Sequence, residues 1–253
     1  MPLHTVTFES KCIGRETSFH VFVPGGDDDR RYPAVYVHHG LGDTYEGFAS
    51  RTNIEIYAQE NGLIAVMPDA GRSWYANDPG DGCLWEDHLA IEIVELVDEQ
   101  FPTISRRDAR ALSGFSMGGY GAMILALLHP DRFSATASLA GSMFFGHELR
   151  KDRPERTEMM LRVAPPGGRY DLFTLAEKLA ARSENDPPIP NIRVNIGIED
   201  HLLKANRQWH DHLVKLGIPH DFMEVYGGHK WSYVESQLAE VMWYLGQQLS
   251  HHG

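Results

Sequence analysis

Gly114-Phe115-Ser116-Met117-Gly118-Gly119 is the stretch on which the reading of this chain turns. The apolar run Ala109 to Phe115 precedes the serine and predicts a strand. The run Tyr120 to Leu128 follows it and predicts a helix. Ser116 then sits in the sharp turn between them, with glycine two residues to either side. That arrangement is the nucleophile elbow, Gly-x-Ser-x-Gly between strand and helix. Its logic is steric. A serine held there adopts an unfavourable backbone conformation, and side chains at 114 and 118 would collide across the turn, so glycine occupies both. The pattern alone is weak and a plain tight turn can produce it. The flanking strand and helix, with the further Gly119, favour the elbow.

Outward from the serine, strands alternate with helices. Thr5 to Ser10 and Thr17 to Val23 alternate apolar and polar residues and predict an antiparallel pair, closed by Pro24-Gly25-Gly26. Ala34 to Val37 and Leu63 to Met67 are continuous β-type runs, as expected of strands covered on both faces. Phe133 to Leu139, Asn191 to Ile198 and Phe222 to Tyr226 predict further strands. Helices are expected over Asn53 to Glu60, Glu86 to Phe101, Lys204 to Leu216 and Tyr233 to Leu249. In the second of these Leu89, Ile93, Leu96, Val97 and Phe101 share one face. The class is α/β: a mostly parallel central sheet with antiparallel N-terminal strands and helices on both faces, read as one domain over 1–253. The stretch 144–190 breaks the alternation. With Pro154, Pro165-Pro166-Gly167-Gly168 and Pro187-Pro188-Ile189-Pro190 it reads as a short insertion over one sheet edge.

Composition narrows the function classes. With 23 basic against 35 acidic residues, the 253-residue chain carries a formal charge of -12 and no basic patch, which argues against nucleic acid and anionic membranes as partners. The run Asp27-Asp28-Asp29 reads as solvated loop. Cys12 and Cys83 are too few for a disulfide framework and lack metal spacing, so two free thiols in a reducing compartment are expected. No cofactor or metal pattern is present. The N-terminus has neither a basic nor an apolar leader segment, and no apolar run approaches a membrane span. The expectation is a cytoplasmic protein, with earlier removal of a leader left open, as is homo-oligomerisation. His251-His252 read as natural or as an appended remnant.

A serine hydroxyl is a poor nucleophile without a base, and the base needs an orienting acid. In elbow folds the chain order is serine, acid, histidine, each just past a strand. After Ile198 comes Glu199-Asp200-His201, and after Tyr226 comes Gly227-Gly228-His229. Asp200 is preferred to Glu199 as the acid, although sequence leaves that geometry open. Among 14 histidines, His229 is preferred as the base, because two glycines precede it in a strand-end loop. His38, His39, His129, His201, His210, His212 and His220 read as core or surface histidines. The N–H of Met117, next to the serine, is one expected oxyanion donor. The Leu41 N–H, in the His38-His39-Gly40-Leu41-Gly42-Asp43 segment, is the other. Trp74, Tyr75, Trp85, Met143, Phe144 and Trp231 fall in or near loops on the same face. They are candidates for an apolar acyl or alcohol pocket, with plain packing as the alternative for each, and Trp85 and Trp231 are the leading pair.

GFSMGGYGAM at 114–123, His-Pro-Asp-Arg-Phe at 129–133, Ala-Ser-Leu-Ala-Gly at 137–141, His39-Gly40-Leu41-Gly42, Gly197-Ile198-Glu199-Asp200 and Gly228-His229-Lys230-Trp231 together resemble the esterase D family of α/β-hydrolases. That group is similar to S-formylglutathione hydrolases, tributyrin-type esterases, feruloyl esterases and mycolyl transferases. The resemblance spans about residues 15 to 248. It implies an α/β-hydrolase fold, a Ser116–Asp200–His229 triad, Leu41 and Met117 as the oxyanion hole, and no cofactor. The chain departs from the pattern at Leu41-Gly42-Asp43-Thr44, in its short insertion and in lacking a secretion signal. These departures favour a carboxylesterase for small acyl esters. A thioesterase such as S-formylglutathione hydrolase, a feruloyl or acetyl-xylan esterase, an acyltransferase, and a catalytically inert binding module on the same scaffold are the alternatives.

Overall fold

A computed structural model describes residues 3–26, 30–149 and 154–250. The aspartate run at 27–29 and the histidines at 251–252 lie outside them. The strands are β1 (Leu3–Ser10), β2 (Arg15–Phe22), β3 (Ala34–His38), β4 (Ile64–Pro68), β5 (Arg110–Phe115), β6 (Ala135–Leu139), β7 (Asn191–Gly197) and β8 (His220–Val225). They form one sheet in the order β1-β2-β4-β3-β5-β6-β7-β8. β1 and β2 pair antiparallel, β2 joins β4 antiparallel, and every later pairing is parallel.

The continuous apolar runs are explained by burial on both faces. In β3, Ala34 and Tyr36 point into one core layer with Phe19, Val66, Leu112 and Ile124. Val35 and Val37 point into the other, with Phe22, Ala111, Val241 and Leu245. Period-two alternation therefore supplies both layers from one unbroken run. β1 and β8 lie at the sheet edges, and both alternate between covered and open positions.

The helices are α1 (Gly47–Arg51), α2 (Ile54–Glu60), α3 (Trp85–Asp87), α4 (Ile93–Gln100), α5 (Met117–Leu128), α6 (Pro154–Val163), α7 (Leu172–Ala180), α8 (Leu203–Leu216) and α9 (Trp231–Gln248). A π-helical turn, His88–Glu92, joins α3 to α4, so the single helix expected over 86–101 carries a widened turn. At that turn Ser10 Oγ lies 3.0 Å from His88 Nδ1 and donates to Glu92 Oε2, clamping the β1–β2 hairpin to the helix. α5 is buried from Met117 to Leu127, as a helix running under its own sheet should be. No helix among the described residues is long and apolar enough to cross a membrane.

The insertion between β6 and β7 contains two helices that proline content had masked. Pro154 opens α6, where its missing N–H costs nothing. Asp171 caps α7 by accepting the Phe173 N–H at 3.0 Å. A buried carboxylate anchors the segment. Glu86, 1% exposed, accepts from His129 Nε2 at 2.9 Å, Arg169 Nε at 3.0 Å and the Tyr170 hydroxyl at 2.7 Å. Burial alone would raise its pKa. The hydrogen bonds from His129, Arg169 and Tyr170 outweigh burial and bring it down to about 2. Its stabilising contribution is thus complete above the ordinary carboxyl pKa of 4.5 and is lost as pH falls through about 2. Glu86→Gln should lower stability by about 2 kcal/mol at pH 7. Urea unfolding at pH 7 and again near pH 3 should show the gap from wild type narrowing at the lower pH. An equal gap at both would contradict the charged role.

Candidate active site

The parallel register gathers the strand-end loops. His38 lies opposite Gly114, so the loop after β3 runs beside the turn after β5. Gly197 lies opposite Val225, so the loops after β7 and β8 are neighbours. Loops at the carboxyl ends of adjacent parallel strands form a crevice.

Ser116 lies at φ 60° and ψ -114°, immediately before α5. This left-handed conformation is costly for a residue with a Cβ. It is held by the Ser116 N–H donating to Leu139 O at 3.0 Å, and by Ser116 O accepting from Ser142 N at 3.1 Å. A methyl on Gly114 or Gly118 would stand closer than 3.0 Å to the backbone, the former to Gly118 and His38, the latter to His38 and His39. The steric argument for the two glycines thus has identified collision partners.

Ser116 Oγ is 2.8 Å from His229 Nε2, and His229 Nδ1 is 2.8 Å from Asp200 Oδ2. Asp200 is buried, and its Oδ1 also accepts the Leu202 N–H at 2.8 Å. Glu199, the rival acid, is exposed. The imidazole of His229 is tilted against the Phe115 ring, centroids 4.7 Å apart. The three side chains therefore make one hydrogen-bonded relay from a buried carboxylate to a hydroxyl at the crevice floor.

Met117 begins α5, so its N–H has no intrahelical acceptor. The Leu41 N–H has no acceptor among the described residues. Its loop is fixed by His39, which is 1% exposed. Ala70 N donates to His39 Nε2 at 2.9 Å, so Nε2 carries no proton and Nδ1 does. Nδ1 lies 2.8 Å from Gly40 O and donates to it. The Tyr75 hydroxyl donates to His39 O at 2.7 Å. Those bonds set the plane of the peptide that bears the Leu41 N–H. His38 is fully buried against Tyr75, and burial followed by the neighbouring His39 pushes its pKa down to about 3, so it stays neutral.

A cavity of about 320 Å³ opens on Ser116 and His229, bounded by Leu41, Asp43, Arg51 and Trp231. Trp231 is wedged edge-on against Phe48, and Arg51 lies over its ring while bonding Asp43 at 2.7 Å. A second cavity, about 250 Å³, is bounded by Ser142, Phe144, Phe145 and His201. Of the proposed pocket residues, Trp231 and Phe144 line these spaces. Trp85 does not: it is 5% exposed and packs with Ile13 and Cys83, under the Arg15 guanidinium. The loop carrying it turns back to the β1–β2 hairpin, where the Leu84 N–H donates to Cys12 O at 2.9 Å. Met143 is fully buried in the core. Trp74 is buried and stacked on Phe145, with its edge at a third cavity of about 210 Å³ beside Leu41. Tyr75 acts through its hydroxyl on the loop instead of lining the crevice.

The Esterase family model matches residues 10–245. The chain belongs to the Esterase family. A Mycobacterium tuberculosis esterase is 28% identical to this family member over 258 residues, covering 88% of the chain and 54% of its own sequence. The chain thus spans about half the length of that curated relative. An acetyl esterase of Caldicellulosiruptor saccharolyticus is 22% identical over 261 residues, covering 95% of this chain and 97% of the relative. Among solved structures, the fluorophosphonate-binding serine hydrolase F of Staphylococcus aureus matches with TM-score 0.86 at 24% identity, over 97% of this chain and 98% of the other. This Esterase-family chain shares that α/β-hydrolase fold.

Two histidines at the site of this Esterase-family chain have partners there that the sequence does not show. His39 holds the Gly40 carbonyl, and His201 Nδ1 stands 3.5 Å from Asp200 Oδ1. The sequence marks His39 by its place in the His39-Gly40-Leu41-Gly42 stretch and His201 only by its place in a strand-end loop.

Proposed function

We propose that this chain is a serine carboxylesterase acting on small acyl esters through an acyl-enzyme. The observation that carries the reading is the Asp200–His229–Ser116 relay with two 2.8 Å links, built on a strained elbow. Ser116 Oγ attacks the ester carbonyl while His229 Nε2 takes its proton. Asp200 keeps the Nδ1–H tautomer and offsets the imidazolium charge. The N–H groups of Leu41 and Met117 receive the developing oxyanion, each donor worth about 2.7–4 kcal/mol. His229 then protonates the leaving alkoxide, and water, activated by the same imidazole, releases the acid. The modest cavity of about 320 Å³ beside Ser116 supports small acyl or alcohol groups. The free thiols Cys12 and Cys83 accord with a reducing, cytoplasmic setting.

A fluorophosphonate probe tests the reading directly: one label per chain, on Ser116 by peptide mapping. No labelling, or labelling elsewhere, rejects it. A series of p-nitrophenyl esters from acetate upward, with S-formylglutathione and methyl ferulate, should show the highest kcat/KM on the shortest acyl groups. His39 supplies a further prediction. His39→Ala should reduce kcat about 10- to 100-fold with KM little changed, since the loop donor is misplaced mainly in the transition state. His39→Asn, whose amide can still donate to Gly40 O, should regain part of that loss. A pure KM effect would contradict the assignment.

A further inference from the structure

We infer that Asp200, His201 and His229 form an inhibitory zinc site that switches the relay off. This rests on the proposed esterase mechanism for its consequence, whereas binding of the ion depends on the three side chains alone. Their donor atoms all lie within 4.8 Å of one another. His229 Nδ1 is 2.8 Å from Asp200 Oδ2, and His201 Nδ1 is 3.5 Å from Asp200 Oδ1. Tetrahedral zinc with bonds of about 2.0–2.1 Å needs neighbouring donors roughly 3.3 Å apart; the two imidazole nitrogens flank the carboxylate on different oxygens, and the three donors lie close enough for small side-chain turns to reach that spacing. The rings of His201 and His229 pack edge to face, with centroids 4.7 Å apart at 71°.

The donor set selects the ion. Two imidazoles and one carboxylate, with a fourth position open to water, suit Zn²⁺ and not the all-oxygen preferences of Mg²⁺ or Ca²⁺. His201 provides access, because its side chain is 66% exposed beside the fully covered Asp200. Lys204 and Arg156 outnumber Glu148 around the cavity on which His201 opens, so the attraction for a cation comes from the Asp200 carboxylate and not from the cavity wall.

The consequence follows from proton placement. In the metal-free protein His229 holds its proton on Nδ1 and offers the Nε2 lone pair to the Ser116 hydroxyl. A zinc ion bound at Nδ1 takes the lone pair exposed when that proton leaves. The proton moves to Nε2, and the imidazole then donates to Ser116 Oγ instead of accepting from it. The base is lost, and Asp200 is engaged by the metal. The exchange breaks the Nδ1–H bond and its hydrogen bond to Asp200, the Nδ1 proton passing to solvent while Nε2 takes one up, and removal of the ion restores the starting tautomer.

The test combines calorimetry with kinetics on the full chain stripped by EDTA. Titration with ZnCl₂ should show one site per chain, and MgCl₂ none. Hydrolysis of p-nitrophenyl acetate should fall as zinc is added and recover with EDTA. His201→Ala, with inhibition referred to its own metal-free rate, should need about tenfold or more zinc for half-inhibition. The proposal is overturned if wild type takes up no zinc, or if His201→Ala and wild type are inhibited at the same concentration. Absence of esterase activity in stripped wild type would defeat the esterase reading instead, and the calorimetric comparison of wild type with His201→Ala would still decide the metal site.

Discussion

Ser116→Ala is expected to reduce kcat for p-nitrophenyl acetate by roughly 10⁴- to 10⁶-fold while leaving the folded protein intact. The hydroxyl is the only atom lost. Among the described residues it has one side-chain partner, His229 Nε2, at 2.8 Å, and the backbone bonds that hold the elbow involve Ser116 N and O, which alanine retains. Alanine at φ 60° carries the same strain as serine, so stability should change by less than about 1 kcal/mol. His229→Ala should lose activity to a similar degree, and the double variant should be scarcely worse than either single one, because the groups act as a unit. Rates near background, measured alongside an unchanged denaturation midpoint, would satisfy the expectation. Ser116→Ala with appreciable turnover would remove the nucleophile from Ser116 and the mechanism with it.

Gly118→Ala should harm both fold and activity, and so separate the elbow's geometry from its chemistry. The added methyl would stand closer than 3.0 Å to the His38 and His39 carbonyl groups. Both belong to backbone that cannot yield cheaply: β3 is buried throughout and α5 is packed beneath the sheet. Overpacking of that kind costs about 3 kcal/mol. At 2–4 °C per kcal/mol for a chain of this size, the melting temperature should fall by roughly 6–12 °C. The displaced segment leads directly into Gly40 and Leu41, so turnover in the surviving folded fraction should also drop. Gly246→Ala, where the new methyl meets Asn61 Cβ at 3.4 Å within α9, is the matched control and should be close to neutral. Calorimetry of the pair, with kcat measured well below either transition, makes the comparison. Equal melting temperatures would contradict the steric account of the elbow.

The alternation of runs and the elbow were legible because both are local constraints. Ala34 to Val37 reads as a doubly covered strand since each face demands an apolar residue, and β3 is buried at all five positions. Ser116, Asp200 and His229 could be nominated in advance because parallel strands deliver their following loops to one edge, whatever the packing between them. The limits of the reading are equally specific. Proline content concealed α6 and α7, whose stability comes from Met160, Val163, Leu172 and Phe173 packing on the core and from the Glu86 network. The π turn in the Trp85–Gln100 helical run was invisible, because its partner Ser10 lies in the first hairpin, far away in sequence.

By itself, then, the order of residues determined the sheet and the strand-end stations of the serine, of the Glu199-Asp200 pair and of the histidine, because side-chain period and backbone sterics act over a few neighbours; the bond to His229 then separated Asp200 from the exposed Glu199. Tertiary structure alone decided which aromatic residues face the crevice: Trp231 does, Trp85 turns to the β1–β2 hairpin, and Met143 joins the core. It also decided that His39 grips the Gly40 carbonyl and that His201 comes up beside Asp200. A loop residue is equally apolar or equally basic whichever way it points. Its direction is chosen by long-range packing, which no local pattern records.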